Sequence, residues 1–359
     1  MQNILQIIKT HKNIAIRLLP LVAFAIPLLW LYLLEPATFE AMWKGRTFLL
    51  FFIWLVSLEL ILGWETMRES KLRKLISART IAFAASLVLP TIYIAASYLW
   101  GLNAAITDWA VQNHVTQGIE AQAALSWEQS MPLSMEYLAF AVMFCAVVTI
   151  AYGFRGLKAF SVPAFFLFIV GAIYTIDNLF PYGQFAPFQV FVPTTTALAA
   201  AFLSLMGYDT NRTYLQSSSQ GIMPTLTAAN SVTHASATFS IAWPCAGIES
   251  FLIFTVVVLL FLKRMNISSK GKIGYFAFGA AITYIINAFR IVNIFTTGMA
   301  HGETSPQVNE IHLYYGPLYA ITWIAAYPLI ILASQNLWKR IRKPKPAATE
   351  TQLLSPNPA

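Results

Sequence analysis

Apolar runs long enough to cross a bilayer follow one another along most of this chain, and they restrict its fold more than any motif does. A helix needs roughly 20 predominantly apolar residues to cross the hydrocarbon core. Such runs are Ile14–Leu34, Thr47–Trp64, Ile81–Leu99, Leu133–Tyr152, Val162–Ile176, Val190–Met206, Gly247–Leu262, Gly274–Phe295 and Leu313–Ala333. Of the 359 residues, 57% are hydrophobic and only 11% charged, where a soluble domain carries about a quarter. The sequence is that of an all-α polytopic membrane protein, with its first run retained as a span and not removed as a signal peptide.

The net charge of +8 does not point to nucleic acid, because the basic residues sit in short loops where they set topology. Arg68, Lys71, Arg73, Lys74 and Arg79 crowd the loop after the second run. Arg155 and Lys158 follow the fourth, Lys263, Arg264, Lys270 and Lys272 follow the Gly247–Leu262 run, and Lys339, Arg340, Arg342 and Lys343 close the chain. All four clusters are cytoplasmic only if Val190–Met206 does not cross. The expected architecture is therefore about eight transmembrane helices with both termini cytoplasmic. Val190–Met206 is a re-entrant or interfacial helix on the outer side.

Residues 1–343 then form a single integral-membrane domain with extracytoplasmic loops 101–132 and 209–244, and 344–359 a disordered cytoplasmic tail. In the first loop Trp109, Val111, Val115 and Ile119 recur at roughly helical spacing, which predicts an interfacial amphipathic helix. The second is rich in Thr, Ser, Val and Ile. Segments such as Thr213–Leu215 and Val232–Ile241 read as strands of a small extracytoplasmic hairpin, with Gly221 and Pro224 as breakers. Asn211-Arg212-Thr213 fits an N-glycosylation acceptor pattern.

The chain has two cysteines. Cys145 lies in the middle of an apolar run and reads as a small buried hydrophobe. Cys245 lies at the outer end of a run, in Pro244-Cys245-Ala246-Gly247, where small neighbours leave room for a bound backbone and helix amides favour a thiolate. Glu249 is one turn deeper, placed either to anchor Arg290 or to pair elsewhere in the bundle. Arg290 lies sixteen positions past Gly274; at about 1.5 Å per residue it is too deep for an interfacial anchor, and a charge there is by default functional. Asn287 and Asn293 share its helix face. His312 opens the last run, preceded by Asn309 and Glu310, with Gly316 one turn on to permit close helix approach. His234 and His301 are also on the outer side, but each lies in a less constrained loop. Brought together, a thiol, a guanidinium and an imidazole suit acyl transfer: nucleophile, oxyanion partner and general base. No metal-ligand spacing and no Gly-rich phosphate loop is present, so neither a metal nor another cofactor is implied.

At these residues the chain resembles the exosortase/archaeosortase family of integral-membrane cysteine transpeptidases. Cys245-Ala246-Gly247-Ile248-Glu249-Ser250 is similar to the family's cysteine motif, Asn287 to Arg290 with Ile291 to its arginine motif, and His312 to its third catalytic position. The likeness runs from about Pro181 to Trp323. Ala246 stands where Ser or Thr is usual, and the third position is His where the archaeosortase branch often has Arg. The resemblance implies a prokaryotic plasma-membrane enzyme with its site on the outer face. Its substrates would be secreted proteins ending in a short motif, a membrane helix and a basic cluster, and a lipid or surface molecule would accept the new C-terminus. The rival readings are a transporter or flippase for an anionic or lipid-linked solute, with Arg290 as the binding charge, and a structural membrane protein.

Overall fold

The computed structural model describes residues 2–40, 44–64, 77–113, 121–180, 185, 187, 190–217 and 221–341. The basic residues between 65 and 76, the 114–120 stretch with Val115 and Ile119, and the tail from 342 lie outside them. Thirteen described helices follow the apolar pattern: α1 (Gln2–Leu34), α2 (Thr47–Gly63), α3 (Ala78–Leu99), α4 (Leu102–Gln112), α5 (Ala121–Glu128), α6 (Met131–Tyr152), α7 (Phe154–Ala159), α8 (Ser161–Leu179), α9 (Phe191–Leu205), α10 (Ile248–Arg264), α11 (Ser269–His301), α12 (Pro306–Glu310) and α13 (Gly316–Ile341). Six segments among the described residues are both long and apolar enough to cross a membrane: Ile16–Leu34, Ala78–Leu99, Leu125–Tyr152, Ser161–Leu179, Ser269–His301 and Leu318–Trp338. The chain is a multi-pass helical membrane protein. Helix α2 has 17 residues, and α10, also 17, carries Glu249, Lys263 and Arg264 at its ends, so neither reaches that standard.

Start signals are local. Ser77, Ser268 and Ser305 each accept a backbone N–H of the first turn of α3, α11 and α12. Helices α1, α2, α3, α6 and α8 share one core around Phe24, Phe52, Phe140 and Phe144. Phe24 meets the other three rings edge to face at centroid distances of 5.5, 5.5 and 5.6 Å, the geometry that aligns ring edge with ring face. A second core joins α10, α11 and α13 around Phe254, Val258 and Tyr327. The third lies where α9, the sheet and α11 meet, around Leu203, Leu226, Trp243 and Phe295.

Ion pairs pin opposite ends of these helices. At one end, Arg46, only 5% exposed, grips Glu136 with Nε and Nη2, both at 2.9 Å, and also donates to Glu35, Thr38 and Tyr98. At the other end Glu59, fully buried, accepts from Lys263 Nζ at 2.6 Å and from Arg264. There too Arg17 donates to the Trp64 carbonyl and Arg79 to the Ile150 carbonyl. Lys263, Arg264 and Arg79 thus share one end of the bundle.

Two local expectations are corrected. The 101–132 segment contains two described helices, α4 and α5, in place of one. The expected hairpin is a three-stranded antiparallel sheet, β1 (Asp209–Ser217), β2 (Gly221–Ala229) and β3 (Ser236–Ser240), in the order β1-β2-β3. Of the two residues read as breakers, Gly221 opens β2 and Pro224 lies inside it. Pro224 is tolerated because its carbonyl takes the Ile241 N–H at 2.9 Å and the ladder requires no donor from it there. The Asn211-Arg212-Thr213 pattern lies within β1.

Candidate functional site

The polypeptide leaves β3 through Ile241 and Ala242 into a short 3-10 turn, Trp243–Ala246, that carries Cys245 ahead of α10. Gly247 then caps the helix with φ +93°, a left-handed backbone that favours glycine. It also lacks room for a side chain: a Cβ there would lie 2.7 Å from Cγ of Asn287. That contact brings α11 against the turn, and Asn287 Nδ2 donates to the Cys245 carbonyl at 3.0 Å. The turn is held from the opposite side by Trp243, whose indole N–H donates to Asp177 Oδ1 at 2.8 Å. Asp177 in turn pairs with Lys44 at 2.8 Å.

One turn along α11, Arg290 donates from Nη2 to the carbonyl of His312 at 2.7 Å. His312 lies in a π-helical turn, Ile311–Tyr315, between α12 and α13, the kind of local widening that recurs at functional sites. Gly316 begins α13 directly against Arg290, and a Cβ on it would meet Nε at 2.5 Å. The charge of Arg290 is felt by Cys245, Glu249 and His312 alike. Arg290 Nε, Asn287 Oδ1 and Glu249 Oε1 are buried without a hydrogen-bond partner among the described residues. Buried polar atoms left short of partners are exceptional in native proteins, and here they lie on neighbouring turns of two helices.

The sequence-selected residues do not all converge. Among the described residues no ion pair joins Glu249 to Arg290, which donates to the His312 carbonyl instead. Asn293 points elsewhere and donates to the Tyr319 hydroxyl at 3.1 Å. Glu310 is exposed, as are His234 and His301. The thiol of Cys245 and the imidazole of His312 make no hydrogen bond to each other. Burial pushes the Cys245 thiol up, against the opposing pull of Arg290. The expectation of a resting thiolate is therefore corrected: Cys245 precedes the first helical turn, and loss of water outweighs the guanidinium. Burial and then Arg290 push the His312 imidazole down. A neutral thiol and a neutral imidazole result. Both cysteines are free, as two isolated thiols would be.

Beside the turn, α9, α10 and α11 enclose an open cleft of about 520 Å³ lined by Phe191, Gly247, Ile248, Phe251, Ala281 and Tyr284 among others. Among the described residues no lining side chain is charged, so the cleft suits an apolar segment better than an anionic solute. The cleft, the Trp243–Asp177 clamp and the π turn depend on long-range contacts that single-sequence patterns do not encode. Asp177 was visible only as the polar end of an apolar run.

Fold and site together define a polytopic helical membrane protein that gathers a thiol, a carboxylate, a guanidinium and an imidazole beneath a small sheet. A family model described as Transmembrane exosortase (Exosortase_EpsH) matches residues 43–331. The chain belongs to this transmembrane exosortase family of membrane protein-sorting proteins. No curated protein and no solved structure matches it.

Proposed function

We propose that the chain is a membrane-embedded cysteine transpeptidase that cleaves the C-terminal sorting signal of secreted proteins and transfers the new C-terminus to a lipid or surface acceptor. On this reading α1, α2, α3, α6, α8, α10, α11 and α13 make eight crossings, and α9 is re-entrant or lies on the outer face. Residues 1–343 are one membrane domain, 344–359 a cytoplasmic tail, and both termini are cytoplasmic. The site then faces outward from the plasma membrane of a prokaryote.

The observation that carries the reading is the state of Arg290. One nitrogen is committed to the His312 carbonyl, Nε is buried without an acceptor among the described residues, and the charge reaches the Cys245 thiol. A fixed cation in a site poor in water is arranged for an oxyanion.

In the reaction, His312 takes the thiol proton as Cys245 Sγ attacks the scissile carbonyl. Catalytic hydrogen bonds are often long before substrate binds, and the thiol and imidazole close on each other in the complex. The tetrahedral oxyanion is stabilised by Arg290. It collapses with cleavage of the C–N bond, and the imidazolium returns the proton to the leaving amine. That leaves a thioester on Cys245. A hydroxyl, amine or water attacks the thioester with His312 again as base, and the thiol is regenerated. Asn287 holds the Cys245 backbone and Gly247 gives it access.

The test is intact-mass analysis of the full chain incubated with peptides bearing candidate C-terminal sorting motifs. An acyl adduct in the native protein, absent from Cys245→Ala, is the expected result. Persistence of cell-surface processing in Cys245→Ala would remove the thiol from the chemistry and leave the transporter reading in front. An adduct in His312→Ala at the native rate would show that His312 is not the base.

A further inference from the structure

The edge of the small sheet nearest the thiol is open, and its geometry fixes what that edge presents. The pairing of Ile241 N–H with the Pro224 carbonyl sets the alternation in β3. Ala237 and Phe239 face β2 with their backbone groups, whereas Ser236, Thr238 and Ser240 turn their N–H and C=O groups away. The side-chain contacts agree: Thr225 with Ser240 and Thr227 with Thr238 each meet at 3.0 Å, as befits non-hydrogen-bonded pairs, where side chains approach more closely. All three outward residues of β3 are exposed.

One of these outward donors is already occupied, by a surrogate. Glu303, exposed on the loop after α11, places Oε1 2.7 Å from the Thr238 N–H. A carboxylate oxygen thus stands where the carbonyl of an added strand would stand. Native proteins protect open edges in this way, with a charged residue that forbids unwanted pairing. Ser240 is the next outward position, and beyond it the chain passes in five residues to Cys245. β3 rests on the far end of α11, where Gly298 touches Phe239. Cys245 is held eleven residues earlier by Asn287, about 16 Å along the helix at about 1.5 Å per residue. The open edge therefore leads from the sheet down to the thiol.

We propose that the free edge of β3 is the docking strand for the extended recognition segment of the protein substrate. The segment adds to the sheet as a fourth strand, displaces Glu303 from Thr238, and is led along Ser240 to Cys245. This deepens the transpeptidase reading and rests on it. Backbone hydrogen bonds supply the affinity, and alternate side chains of the segment supply the specificity. A sorting signal that enters the membrane C-terminal to its motif runs in the same sense as β3, so the added strand is parallel to β3.

The test uses the full chain in cells with a reporter bearing a random seven-residue segment, an apolar helix of about 20 residues and an Arg-Lys tail. Cleaved reporters are recovered and their kinetics measured on the purified chain in bilayer discs. Ser240→Pro removes an outward N–H without touching the β2 ladder and should raise KM about tenfold, with kcat and the iodoacetamide labelling of Cys245 unchanged. Glu303→Ala removes the competing acceptor and should lower KM. Tyr214→Pro, on the far edge of the sheet, should leave KM as in the native chain. A native KM in both Ser240→Pro and Glu303→Ala overturns the docking strand but leaves the thioester reading intact. So does an equal loss in Ser240→Pro and Tyr214→Pro. If the native chain cleaves no reporter and forms no Cys245 adduct, the transpeptidase reading falls and the docking strand with it. Edge-to-edge pairing of two copies through β3 would appear as a Ser240 cross-link between chains without substrate, and also overturns the proposal.

Discussion

Gly316→Ala isolates the placement of Arg290 from every other feature of the site. The added Cβ would lie 2.5 Å from Nε and 2.7 Å from both Cδ and Cγ of Arg290, where comfortable carbon contacts lie at about 3.5–4.0 Å. These atoms are in the middle of the side chain, so it cannot swing its tip aside. The whole guanidinium must move by about 1 Å, and the 2.7 Å bond from Nη2 to the His312 carbonyl is broken. A misplacement of about 1 Å in a catalytic group costs about 100-fold, or about 2.7 kcal/mol. The loss should fall on kcat, with KM nearly constant, because the oxyanion exists only in the transition state. Gly279→Ala is the matched control: its Cβ would meet Phe254 and Tyr327 at 2.5 Å, in the core of α10, α11 and α13 and about 12 Å along α11 from Asn287. It should lower the thermal unfolding midpoint through about 1–3 kcal/mol of overpacking and keep kcat. Cleavage kinetics and thermal unfolding of both variants decide the matter. Native kcat in Gly316→Ala, or equal kcat losses in the two variants, would refute the role given to Arg290.

Labelling of Cys245 by iodoacetamide should rise with pH with a midpoint above the ordinary thiol value of about 8.5, because burial disfavours the thiolate. In Arg290→Ala that midpoint should move further up, since the lost charge was lowering it, and labelling near neutral pH should slow. The acid limb of kcat/KM, set by neutral His312, should lie below about pH 6.5 and move to higher pH in Arg290→Ala, whose charge holds the imidazole down. Glu136→Ala should cost about 3–5 kcal/mol of stability, read by unfolding in detergent, because it leaves the Arg46 guanidinium without its main partner at 5% exposure. Trp243→Phe keeps the ring and loses the N–H to Asp177; kcat should fall and iodoacetamide labelling should change while KM holds, whereas a purely structural role would alter the unfolding midpoint alone.

The apolar helices were legible because hydropathy acts within one segment. Arg290, Cys245 and Gly316 were legible because each breaks a local rule, whether a charge in an apolar run or a run of small residues at a helix end. What escaped was pairing between distant segments. Arg46 and Glu136 are separated by 90 positions, and neither sits in a pattern that names the other. The division of labour between the asparagines was hidden too: spacing put Asn287 and Asn293 on one face, yet Asn287 reaches the Cys245 carbonyl and Asn293 a tyrosine on α13. Pro224 misled because its compatibility with a strand depends on which neighbour faces its nitrogen. Burial of Cys245, which reverses the sign expected from helix amides alone, is a tertiary property.

Glu59 gives the chain a timetable. Its carboxylate is buried in α2, yet its partners Lys263 and Arg264 follow 204 and 205 positions later. At roughly 5–20 residues per second of synthesis, that interval is about 10–40 s. Throughout it the second helix waits with an acidic group that has not yet met its partners. Arrival of α10 closes both ion pairs and ties that helix to the first bundle. The clasp can therefore close before Arg290 and His312, 26 and 48 positions beyond Arg264, have been synthesised, and a chain stopped short of α10 lacks it.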